Sequence, residues 1–132
     1  MAADQDALEK RLKELRKEVD KHEESRDFLE AARILRHSLY ENGRRTSLLY
    51  DKAIDQLLKS GDKRRAAVVA IEAKQHSVAL RLYKELRDWE EAAFVCKISG
   101  QCERARDFYL KAGNEYYAQR MQANIDGAKK SA

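Results

Sequence analysis

Between Asp27 and Asn124 the apolar residues fall in short clusters at 0, +3, +4 and +7 from an alanine, with charged residues between them. The anchoring alanines, Ala53, Ala66, Ala79, Ala92, Ala105 and Ala118, are 13 residues apart. One continuous helix cannot keep such a column on one face, because at about 3.6 residues per turn each step of 13 rotates the side chain well away from its start. The helix must stop and restart in every unit, which predicts a series of stacked short helices. Four faces read Ala66/Val69/Ala70/Ala73, Ala79/Leu82/Tyr83/Leu86, Ala92/Val95/Cys96/Ser99 and Ala105/Phe108/Tyr109/Ala112. Alternate units match best: Ala66-Ala67-Val68-Val69-Ala70 resembles Ala92-Ala93-Phe94-Val95-Cys96, and Leu82-Tyr83 resembles Phe108-Tyr109. A repeat of 26 residues holding two unlike helices is what stacked hairpins produce, with small residues at the crossings and larger ones in the grooves.

The polar positions set the boundaries. Asp27-Phe28-Leu29-Glu30-Ala31-Ala32 has a near copy in Asp88-Trp89-Glu90-Glu91-Ala92-Ala93, and each places an acidic N-cap three residues before a glutamate, a variant of the capping box. Thr46, Asp62, Asp88, Gln101 and Asn114 stand where helices should begin, and Gly43, Gly61, Gly100 and Gly113 stand where helices should end. The pattern predicts helices over 5–24, 27–41, 46–59, 62–73, 76–86, 88–99, 101–112 and 114–124, with a frayed tail over 125–132. Within 1–26, Leu8, Leu12, Leu15, Val19 and His22 form a heptad-like stripe on a highly charged helix. That helix is expected to cap the repeat domain of 27–124; the alternative is a homodimer seam through the N-terminal helix.

Composition narrows the class. The 132 residues suit one domain, proline is absent and helix formers dominate, so the fold class expected is all-α with seven or eight helices. The net charge of +4 is spread among 27 basic and 23 acidic residues, a milder balance than strong polyanion binders carry. Met1 to Asp20 does not read as a secretory signal, and no uncharged run approaches the roughly 18 residues of a membrane span. Two cysteines, Cys96 and Cys102, make no disulfide framework, which points to a reducing, cytoplasmic setting.

Asp88-Trp89-Glu90-Glu91-Ala92-Ala93 and the run from Ala105 to Asn114 (ARDFYLKAGN) look like tetratricopeptide-like α-solenoids, and Tyr50-Asp51-Lys52-Ala53-Ile54 is similar to the second helix of such a repeat. The resemblance covers about 27–124 and extends to the short-helix repeats of vesicle-coat and transport-complex subunits. It implies a right-handed stack of antiparallel helical hairpins and a non-catalytic scaffold or adaptor with a concave surface for a partner peptide or subunit. The period near 26 departs from the roughly 34 of the standard repeat, and the closing proline is missing.

Catalytic and metal chemistry find little purchase. Cys96 falls in a core column, His22, His37 and His76 are dispersed, and neither a phosphate-cradling glycine loop nor an H-E-x-x-H string occurs. No enzyme activity and no cofactor are expected. The candidate binding residues are Arg44, Arg45, Lys63, Arg64 and Arg65, with Tyr83, Tyr109 and Tyr116. Arg44-Arg45 precedes the Thr46 cap and Lys63-Arg64-Arg65 lies in the first turn after Asp62; positive charge at a helix N-terminus opposes the dipole by about 0.3–1 kcal/mol per residue, so an acidic ligand would explain them. The tyrosines suit a groove wall, an apolar ring with a polar tip. The competing reading is a nucleic-acid binder that uses the basic clusters, with steep salt dependence.

Overall fold

The computed structural model of the chain describes residues 2–37 and 43–131. Among these residues the structure is all-α, with eight helices and no strand. Two compact units are present, Met1–Lys59 and Ser60–Ala132.

The first unit holds α1 (Ala2–Glu24), α2 (Phe28–Arg36) and α3 (Gly43–Lys59). α2 packs on both α1 and α3, and the core is Val19, Ala31, Ala32, Leu35, Leu49, Tyr50, Ala53 and Ile54. The leucine stripe of α1 is covered only toward its C-terminal end: Val19 is fully buried, whereas Leu8 remains 46% exposed. Two boundaries differ from the sequence reading. α2 ends at Arg36 with His37 as its C-cap, and the rest of the helix expected to reach 41 lies outside the described residues. Gly43 does not end a helix but lies within α3, so Thr46, expected as an N-cap, is a buried side chain inside the helix.

The second unit holds α4 (Lys63–Glu72), α5 (His76–Glu85), α6 (Trp89–Ile98), α7 (Cys102–Lys111) and α8 (Glu115–Ser131). Each packs on its neighbour in sequence. Four helices of 10 residues alternate with joints of one form. In each joint a residue with positive φ is followed at once by the N-cap of the next helix. After α5, the Asp88 N–H bonds to the Tyr83 carbonyl at 2.9 Å and the Arg87 N–H to the Lys84 carbonyl at 3.0 Å, the paired bonds of a Schellman ending. The same pair closes α1, α4, α6 and α7. The left-handed positions Gly61, Lys74, Arg87, Gly100 and Gly113 share the 13-residue spacing, each five residues before an alanine of the column. All six column alanines are buried. The +1 position, outside the expected face, is buried as well at Ala67, Leu80 and Ala93.

Glycine marked only three of these joints in unit 2; lysine and arginine hold the other two, with φ of 60° and 57°. An L side chain in this region costs about 1–2 kcal/mol. Arg87→Gly is therefore expected to stabilise the chain by about 0.5–1 kcal/mol, the remainder after glycine's greater freedom in the unfolded state. Gly100→Ala should lower stability by a similar amount for backbone reasons alone, since a Cβ there meets nothing within 4 Å. Thermal midpoints of the two variants check this; movement of both in one direction would refute it.

α8 continues past the end expected at 124, and the frayed tail expected from 125 is helical as far as Ser131, with Ile125 buried. The missing signal is local: nothing between Asn124 and Ser131 breaks a helix except Gly127, and packing on α7 overrides that weak preference.

Candidate functional site

The basic clusters expected as binding residues lie in separate units. In the first, Arg45 Nη2 contacts Asp20 at 2.6 Å and Glu23 at 3.0 Å, and Lys52 Nζ lies 3.4 Å from Glu23. The Arg45 guanidinium, with help from Lys52 and against partial burial, holds the Glu23 carboxyl below the usual carboxylate range. Asp20 and Glu23 in turn hold the Arg45 pKa above its ordinary value. Arg45 thus joins α1 to α3, while Arg44 is exposed beside it.

In the second unit Arg64 Nη1 donates to Asp88 Oδ2 at 2.6 Å, and Lys63 Nζ lies 3.4 Å from Glu85. Arg65 is exposed and makes no ion pair among the described residues. The unfavourable charges of Lys63 and Arg64 in the first turn of α4 therefore have a structural explanation. Arg64 reaches the N-cap of α6, two helices on, and Lys63 reaches the end of α5. The same relation recurs one 26-residue repeat later. Asn114, the residue before α8, donates to Glu90 at 3.0 Å, and Lys111 Nζ sits 3.9 Å from the Trp89 ring centroid. These contacts put the starts of α4, α6 and α8 along one end of the unit and make α4/α5 and α6/α7 antiparallel.

Of the three candidate tyrosines, Tyr83 and Tyr109 are core residues and not walls of a groove, at 2% and 4% exposed. Burial pushes both phenols up. Their columns face neighbouring helices because +4 from each alanine lies on the packed face. Tyr116 is 64% exposed and begins a short ladder of rings: its centroid lies 5.3 Å from that of Tyr117, which stacks at 5.3 Å on Tyr109. Lys97 and Arg120 flank it, each 5.7 Å from a ring centroid. Val68 and Phe94, 26 residues apart on α4 and α6, are exposed at matching positions, with Ile98 one turn beyond Phe94.

A groove that sequence reasoning did not single out runs between α5, α6 and α7. Its volume is about 480 Å³, and it is lined by His76, Arg81, Lys84, Glu85 and Arg104 over Leu80 and Val95. Arg104 Nη1 donates to Gln101 Oε1 at 2.7 Å. The joints before α4, α6 and α8 carry Asp62, Asp88 and Asn114, whose side chains accept from backbone N–H groups of the helix that follows, whereas Gln75 and Gln101 before α5 and α7 make no such side-chain cap bond.

Cys96 is fully buried on α6, and burial raises its thiol pKa against the opposing pull of Arg104 and Lys84, so the reactive thiolate is disfavoured. Cys102 is half-buried, and both thiols are free. Among the described residues no three His, Cys, Asp or Glu side chains are placed to hold a metal ion. No helix among them is long and apolar enough to cross a membrane. No family model, no curated protein and no solved structure matches the chain.

Proposed function

We propose that the chain is a non-catalytic protein–protein interaction module, a tetratricopeptide-like scaffold or adaptor that binds a partner peptide or subunit on its helical-repeat surface. The observation that carries this reading is the set of large apolar side chains left in solvent on the second unit. Val68, Phe94, Ile98, Leu110 and Tyr116 are each between 41% and 64% exposed, on helices that also bury an apolar face against their neighbours. Apolar side chains held outward on rigid helices are a typical landing surface for a partner. A cytoplasmic setting suits the two free thiols.

The nucleic-acid reading draws less support, because Arg45, Lys63 and Arg64 are already engaged with carboxylates. The two readings separate in a pull-down from cell extract divided in half, one half treated with nuclease. A protein partner retained in both halves is the expected result, and Phe94→Asp combined with Val68→Asp should weaken its capture about tenfold or more. Recovery that depends on nucleic acid would reverse the order of the two readings.

A further inference from the structure

The groove between α5, α6 and α7 carries charge of nearly one sign. Arg81, Lys84 and Arg104 surround it, and its one carboxylate, Glu85, lies 3.4 Å from the Lys63 ammonium outside the lining. Among the described residues Arg81, Lys84 and Arg104 make no ion pair, and the recorded side-chain partner of Arg104 is the neutral amide of Gln101. Arg81 and Lys84 are three apart on α5, so both project from one side of that helix, and Arg104 faces them from the first turn of α7. Three like charges held around one concavity repel, and a ligand with several carboxylates relieves that repulsion while accepting the forked hydrogen bonds of the guanidinium groups.

The floor says what lies between those carboxylates. Leu80 and Val95 are aliphatic, and no Phe, Tyr or Trp lines the groove. Base stacking here would fall to the His76 ring and the guanidinium planes, without the Phe, Tyr or Trp platforms usual in such sites, whereas a leucine or isoleucine side chain needs only an apolar recess. The volume of about 480 Å³ holds a few side chains, not a folded domain. We propose that this groove binds an acidic peptide segment of a partner protein, with carboxylates held by Arg81, Lys84 and Arg104 and an aliphatic side chain between them against the exposed edge of Leu80. The proposal rests on the protein-interaction reading and adds to it the site and the chemistry of the partner.

The test is fluorescence anisotropy with a labelled synthetic peptide in which aspartates and glutamates flank a central leucine. Comparison probes are the same peptide with Asn and Gln in place of the acids, and a short single-stranded oligonucleotide. The acidic peptide is expected to bind the wild-type chain, with affinity falling as salt rises. Arg81→Glu combined with Lys84→Glu and Arg104→Glu should weaken it roughly tenfold, the sum of several partly exposed ion pairs. All three side chains are exposed, and a thermal melt verifies that the triple variant folds. Lys84→Gln and Arg104→Gln repeat the measurement without charge reversal, each with a smaller loss. Equal binding to wild type and triple variant, or equal binding of the amide peptide, overturns the proposal; so does tighter binding of the oligonucleotide. Failure here is separable from failure of the wider reading. If partner capture survives the triple variant but is lost with Phe94→Asp and Val68→Asp, the chain remains an interaction module and this groove is not its acidic-peptide site.

Discussion

Replacing Leu82 with alanine is expected to destabilise the chain by about 2–5 kcal/mol. Leu82 is 2% exposed on α5, which packs on both α4 and α6. Its loss removes apolar burial and leaves a cavity between short helices that have little freedom to close it, because each is pinned at both ends by a three-residue joint. Leu110→Ala is the control: the same deletion at a side chain 54% exposed should cost within about 0.5 kcal/mol. Urea denaturation provides the readout, with an unchanged slope confirming that the shift in midpoint reports stability. A cost for Leu82 no larger than that for Leu110 would contradict the packing of α5 described above.

Enlarging the alanine column should be nearly as damaging. Ala92→Leu is expected to cost about 1–3 kcal/mol, since the side chain is fully buried and three added carbons must displace packed neighbours. Alanine and leucine differ little in helix propensity, so the effect isolates packing. Ala123→Leu makes the same change at an exposed site on α8 and should stay within about 0.5 kcal/mol of wild type. Equal, small effects at both positions would mean that the column is not closely packed. The experiment bears on function as well, because the spacing of the apolar side chains Val68 and Phe94 depends on how α4 and α6 are held in register.

Much of the second unit was legible because its signals are local. A left-handed residue followed by a polar cap ends one helix and starts the next within three residues, and the alanine five positions later marks the buried face. Where the left-handed residue was Gly61, Gly100 or Gly113, the residue itself marked the joint; at Lys74 and Arg87 only the 13-residue spacing, and the cap Asp88, placed it, because nothing in those side chains demands positive φ. The candidate site was far less legible. Tyr83 and Tyr109 satisfied the composition of a groove wall, but their place on the packed face put them in the core. Lys63 and Arg64 broke the dipole preference in a way that suggested a ligand, and their partners proved to be Glu85 and Asp88, 22 and 24 residues away. Tyr116 was the one candidate tyrosine found in solvent.

By itself the sequence determined the all-α class, the 13-residue beat and most of the helix boundaries, because caps, left-handed endings and buried alanines act within a few residues of their own position. Only the tertiary structure decided which charges meet and which stay open. Arg64 is engaged because the N-cap of α6 comes to rest beside the first turn of α4, whereas Arg81, Lys84 and Arg104 remain open because the one carboxylate of their groove, Glu85, is paired with Lys63. Coulomb interactions depend on distance in space, and the separation of two residues along a chain of short, stacked helices says little about that distance.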